Sequence, residues 1–468
     1  MPDALLHRPA VDIARLIASR EVSPVEIFEA VVARLGQVNV DLNALVTLDL
    51  ERAADRAREA EQLVGTRGAP PFLGVPIAIK DLHETAGLRT TYGTRTLADH
   101  VPVTDGVDVA RIRDAGFNII GKTNTCELGT EPITESALLG PCRNPWDTTR
   151  SSGGSSGGAA AAVAAGLLPV AHGSDSGGSL RIPTASCGVI GLKPARGRIS
   201  NAPRWGDWVA GLGTTGPIGR YVRDVAALLD VMRGPASGDP HWASDPARPY
   251  VEEAAAPPGH LRIGLVLTSP VATVDPQILA ATQQAAGLLT DLGHTVELVD
   301  LPVTRDLIHH FATVWTSTVA AQPIAPEYMD DFNAGLAEMG AKNTAADLLR
   351  AITAMQRASR EIIAAAAAFD AVLSPTLAQF PPLIGAWADL GTRERFAAGG
   401  QFSGFTPIAN ITGQPAISLP QGRSREGLPI GVMLTGRPAD EATLLRLAAQ
   451  MEESVKWVTW RPPEPPSA

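Results

Sequence analysis

Three short stretches hold residues whose types and spacing could do chemistry. Residues 151–158 read SSGGSSGG and run straight into an alanine-rich segment. A flexible linker has this composition, but linkers seldom open into a strong helix former. A phosphate cradle at a helix N-terminus is a second reading. No lysine follows Gly158, so the P-loop pattern is missing. Gly153, Ser155 and Gly157 also match G-x-S-x-G, the nucleophile elbow. That elbow should follow an apolar strand, and here the preceding residues 144–150 are NPWDTTR.

The second stretch, residues 173–183, reads GSDSGGSLRIP. Consecutive small residues let successive backbone N–H groups point into one concavity, which is what an oxyanion needs. Ser179, at the end of this nest, could present its hydroxyl beside those donors. A serine nucleophile needs a base. His172 ends an apolar strand pattern, where the ordinary reading is a packed core histidine. His83 and the pair His309-His310 have no partner spacing for zinc or a triad, and neither H-E-x-x-H nor S-x-x-K occurs. The third stretch is the apolar run GVPIAI, which ends on Lys80 and Asp81. Five of the 39 basic residues are lysines, so one closing an apolar run stands out. Such a lysine either leaves a sheet edge for water or is desolvated, its pKa lowered toward neutrality, and usable as a base.

In this order and spacing, Lys80 in GVPIAIKD, Ser155 in GGSSGG and Ser179 in GSDSGGSLRIP resemble the amidase signature family. Further matches are GKTN at 121–124 with Glu127, GQPAISLP at 413–420 and GLPIGV at 427–432. The resemblance covers nearly the whole chain and is strongest from about residue 70 to 200. It implies a Ser-Ser-Lys amide hydrolase working through an acyl-enzyme. Ser179 would be the nucleophile, and Ser155 would pass its proton to neutral Lys80 and later protonate the leaving amine. The backbone N–H groups of Ser176, Gly177, Gly178 and Ser179 would hold the oxyanion. A cis peptide between Gly154 and Ser155 is also implied, and Asp175 and Arg181 would support the nest. Cys126 and the stretch 129–139, with Gly129 and Thr130 at its head, lie where the family's pocket walls come from. Trp205 and Trp208, with Phe402 and Phe405, could join them and suit an aryl or otherwise apolar carboxamide; ordinary core aromatics are the other reading.

The implied substrate is a small-molecule amide, with no cofactor, no metal and no nucleic-acid or membrane partner, and a homodimer is allowed. Two rivals remain. One is the amidase subunit of a tRNA-dependent amidotransferase complex. The other is a binding module on the same scaffold, which would have no need of Lys80, Ser155 and Ser179 together.

These residues need a frame. Ser23, Pro24 and Glu26 form a capping box before a helix whose apolar stripe is Ile27, Phe28, Val31, Val32 and Leu35. Beyond it, helices are expected near 51–63 and 107–115 and strands at 75–79, 117–120 and 167–171, with a helix starting at about 158. Residues 233–260 turn rich in Pro, Gly, Ala and Asp, as a surface excursion or linker does. Strands at 261–267, 295–299, 371–373 and 430–434 follow, with helices at 276–292, up to 368 and at 441–455. The alternation points to an α/β fold whose sheet is covered by helices on both faces. The resemblance makes that a large mixed β-sheet in a single domain spanning 1–468.

Composition agrees. The 468 residues are 45% hydrophobic and 19% charged, with a thinly spread net charge of −10 and no basic run, which argues against a nucleic-acid surface. The longest apolar run, 159–171, has 13 residues, whereas a membrane span needs roughly 18 or more. The three cysteines form no C-x-x-C pair, and no secretory signal opens the chain, so a cytoplasmic location is expected.

Overall fold

The computed structural model describes residues 3–464. The capping box forms as the sequence requires: Ser23 Oγ accepts from the Glu26 N–H, and the Glu26 carboxylate accepts from the Ser23 N–H. Helix Pro24–Leu42 then buries Ile27, Val31 and Val38, while Val32 faces solvent. Strand Asn118–Thr123 lies between Leu45–Leu48, antiparallel to it, and Pro76–Lys80, parallel to it. Both Pro76–Lys80 and Asn118–Thr123 are buried along their whole length. Burial of a strand on both sides is what a sheet covered on both faces demands, and the apolar run of Pro76–Lys80 fits it.

A mixed sheet of eight strands forms the centre. In spatial order these are Thr295–Leu298, Arg262–Leu265, Ala371–Pro375, Pro429–Gly436, Ala416–Arg423, Ile190–Lys193, Thr214–Gly219 and Val170–Asp175. Strands from either side of residues 233–260 therefore share one sheet, and the stretch 235–249 contains neither helix nor strand. The strand expected at 167–171 runs instead over Val170–Asp175. Its polar residues His172, Ser174 and Asp175 are buried and bonded, so the ladder continues past the point where apolar patterning stops.

The Gly/Ser loop is no linker. It enters helix Gly157–Ala164, every residue of which is buried. The glycines let it pack: a Cβ on Gly158 would come within 2.3 Å of the Asn124 nitrogen and the Ala44 oxygen. Helices Arg305–Ala320, Asp331–Gly340 and Ala345–Ala365 pack on one another through Leu307, Phe311, Trp315, Phe332 and Met355. No helix among the described residues is long and apolar enough to cross a membrane.

Candidate active site

Lys80 is the last residue of its strand and is wholly buried. Its Nζ lies 2.8 Å from Ser155 Oγ and 3.4 Å from the Ser174 carbonyl oxygen. Burial pushes its pKa down to about 7, with the Cys126 thiol and the Asp175 carboxylate pulling the other way. Of the two readings of this lysine, the desolvated one matches its surroundings. The Gly154–Ser155 peptide is cis.

Ser179 opens into the same cavity as Ser155, without a hydrogen bond joining the two hydroxyls. The nest around Ser179 is held from behind by Asp175. Its carboxylate accepts from the N–H groups of Gly178 (2.8 Å) and Leu180 (3.1 Å), from Arg181 Nε and Nη2 (2.9 Å each) and from Asn410 Nδ2 (2.8 Å). Burial opposes its charge, yet the Arg181 guanidinium and these donors hold the carboxyl below the usual carboxylate range. Gly178 is a correction to the sequence-based set of oxyanion donors. Its N–H is already given to Asp175 and cannot face a substrate. Gly178 serves by its shape: at φ 137° a Cβ would meet Thr406 Oγ1 at 2.2 Å. The N–H groups of Ser176, Gly177 and Ser179 make no hydrogen bond among the described residues.

Two chambers meet at Ser179. The smaller, about 490 Å³ of open space, is lined by Ser155, Ser174, Ser176, Trp208, Thr318 and Gln322, among others. The larger, about 710 Å³, is bounded by Gly177, Ile182, Phe311, Phe332, Arg395 and Phe396. Gly129, Thr130, Ser179 and Trp315 border both. Gly129 sits in the left-handed region at φ 70°, and a Cβ there would lie 3.1 Å from Ser155 Oγ, so its smallness keeps the serine accessible.

Of the expected pocket residues, Gly129 and Thr130 line both chambers, and Cys126 and Trp205 line neither. The Cys126 thiol is buried against the backbone of Glu131 and pushed up to about 12 by burial, which makes it a packed, inert thiol. Trp205 stacks behind Trp208 at 6.5 Å, and Trp208 takes the wall position. Phe402 and Phe405 pack into core clusters, with Ile182 and Leu377 and with Ala378 and Ala409 respectively. Trp315, Phe311, Phe396, Arg395 and Gln322 were invisible to sequence reasoning. Four of them belong to helices with no motif and Gln322 follows the end of one, and only the folded chain brings them to Ser179.

His172 is fully buried, with Nε2 2.9 Å from Asp108 Oδ2, while His83 Nδ1 lies 3.7 Å from the same oxygen. The three donor atoms lie within 4.8 Å of one another, a grouping of the kind that can hold a metal ion. Sixty-four residues separate Asp108 from His172, so no spacing rule could have found it. His83 also meets the edge of Trp208 at 5.6 Å. The cluster thus buttresses the wall of the smaller chamber.

Comparison with known proteins gives a consistent picture. The family model described as Amidase matches residues 26–445. The chain is 37% identical to the 6-aminohexanoate-cyclic-dimer hydrolase of Paenarthrobacter ureafaciens over 98% of its own length and 97% of that protein. A solved structure of a 6-aminohexanoate cyclic dimer hydrolase superposes with a TM-score of 0.91 at 36% identity, covering 98% of this chain and 99% of the other. A bacterial aryl acylamidase of the amidase signature enzymes superposes with a TM-score of 0.87 at 26% identity, covering 96% of each chain.

Proposed function

The chain belongs to the amidase family, and from that premise we propose that it hydrolyses a small, apolar carboxamide through an acyl-enzyme on Ser179. The observation that carries this reading is the buried Lys80 Nζ, 2.8 Å from Ser155 Oγ in the cavity that also holds Ser179. Neutral Lys80 takes the Ser155 proton as Ser155 takes that of Ser179, and Ser179 Oγ bonds to the amide carbon. The oxyanion so formed is met by the free N–H groups of Ser176, Gly177 and Ser179. Collapse breaks the C–N bond while Ser155 delivers a proton to the departing nitrogen and is reprotonated by Lys80. Water then repeats the sequence on the ester, releasing the acid and restoring Ser179. A second hydroxyl suits this task, because it reaches both the attacking oxygen and the leaving nitrogen.

Reaction of the purified chain with phenylmethanesulfonyl fluoride, followed by peptide mapping, tests the assignment. The label is expected on Ser179. A label on Ser155 or Ser156 would restore the elbow reading and overturn this one. Turnover of a simple aryl amide by the chain alone would set aside the amidotransferase-subunit alternative.

A further inference from the structure

Resting on the acyl-transfer reading above, we infer that the two chambers divide the substrate, the larger taking an uncharged apolar acyl group and the smaller an uncharged, short amine portion. The division follows from one asymmetry. Ser179 borders both chambers, but Ser155 borders only the smaller. The leaving nitrogen must come within hydrogen-bond reach of Ser155 Oγ to receive its proton. Whatever hangs on that nitrogen therefore enters the smaller chamber. The acyl substituent leaves the carbonyl carbon on the other side and enters the larger one.

Each lining then defines a chemical class. The acyl chamber is walled by Pro132, Ile182, Ile308, Phe311, Phe332 and Phe396. Its two ionisable side chains are tied to each other: Arg395 Nε and Nη2 donate to the Glu131 carboxylate at 2.5 and 2.7 Å, and the guanidinium lies 5.1 Å over the Phe332 ring. A charged acyl group would have to break that buried pair or go unpaired. The amine chamber has no charged side chain in its lining, and its polar groups include the Thr318 hydroxyl and the Gln322 amide. An ammonium or carboxylate on the amine side would find no counter-ion there, whereas ammonia or a short neutral amine fits. The preferred substrates are accordingly primary or short N-substituted amides of medium-length aliphatic or aryl acids.

The test uses the purified wild-type chain. With primary amides from acetamide to hexanamide, kcat/KM is expected to climb by about fourfold per methylene until the chamber is filled. Ending the same chain in a carboxylate should cost at least about a hundredfold. With hexanoyl held constant, lengthening the N-alkyl group from hydrogen to hexyl should lower the rate. Labelling of Ser179 by alkanesulfonyl fluorides, which carry the acyl-side chain alone, should follow the acyl series. Phe396→Ala should cut the hexanoyl-to-acetyl ratio about tenfold and leave the N-alkyl preference in place; Gln322→Leu should move the N-alkyl preference and leave the acyl ratio. Flat acyl dependence, or a rate that rises with N-alkyl length instead, overturns the partition while the acyl-enzyme reading stands. Absence of both hydrolysis and Ser179 labelling overturns the acyl-enzyme reading itself, and the partition with it.

Discussion

The neutral lysine can be tested by pH, by charge and by stability. A lysine in water, with a pKa of about 10.4, is neutral in only about one molecule in 2,500 at pH 7. With burial bringing Lys80 down to about 7, about half the molecules hold it ready to accept a proton. kcat/KM should therefore rise with pH through about 7 and level off above it, since the deprotonated form is the active one. Lys80→Arg keeps the charge but cannot accept a proton, and should lose activity as fully as Lys80→Ala, by about 10²–10⁴-fold. Stability runs the other way. A lysine held neutral in the fold but charged when unfolded destabilises the protein fully below pH 7, and that cost fades as pH rises toward 10. At neutral pH it is of order 4 kcal/mol, so Lys80→Met, similar in shape and uncharged, should raise the melting midpoint by about 4 °C at most. Part of that gain is lost because Ser155 Oγ and the Ser174 carbonyl forfeit a partner. The assays are a pH–rate profile on a simple amide and thermal melts at pH 7 and pH 10. An arginine variant within tenfold of wild type, or a profile flat from pH 6 to 9, would refute the reasoning.

Ser155→Ala should slow amide turnover far more than turnover of the matching ester, because an alkoxide leaves with less help from a proton than an amine does; equal losses would remove Ser155 from the leaving-group step. Asp175→Asn strands the buried Arg181 charge and should cost about 3–5 kcal/mol, read as a fall in the denaturation midpoint. In the wild type the part of this contribution carried by the lowered pKa, about 2–3 kcal/mol, is complete above about pH 4 and is lost as pH falls through about 2, so the gap between the two proteins should narrow at low pH. Chelation should leave activity unchanged, since His172 Nε2 and Asp108 already bond to each other and His83 Nδ1 stands 3.7 Å from the same carboxylate oxygen. A loss on chelation that zinc restores would place an ion at that cluster.

How much of this was legible in the sequence depended on whether a residue's role is set locally. The apolar run before Lys80 announced a buried strand, and its burial in the fold is what lowers the lysine's pKa. Ser23 and Glu26 announced a helix start because a capping box is made within four residues. Strand Thr214–Gly219 was not legible, since TTGPIG reads as a turn. Its Pro217 is tolerated one residue beyond the two-residue pairing with Ile190–Lys193, where no ladder N–H is called for on that side. Trp205 and Trp208 could not be told apart either. Which of them reaches the cavity is decided by an irregular loop in which Val209 and Ala210 both take positive φ. Nor could the donors of the nest be sorted, because which N–H is free depends on where Asp175 puts its oxygens.

The division between what could and could not be read has a physical origin in the site's construction. A base that must be neutral near pH 7 has to be desolvated on every side, so the strand that carries it and the loops that touch it are fixed by packing within a small set of side chains. Gly129, Gly154, Gly158 and Gly178 show how narrow that set is, each having no room for a Cβ. Constraint of this kind leaves motifs. The chamber walls face a weaker demand. Phe311, Phe332 and Phe396 need only be apolar and of suitable volume, a condition many side chains meet. Helices Arg305–Ala320 and Thr392–Ser403 can therefore be rebuilt for another amide without disturbing the burial of Lys80, which lies on a strand of the separate three-stranded sheet. Proposed chemistry and proposed selectivity thus occupy different elements of the fold, and only the first is written in short, recognisable runs of sequence.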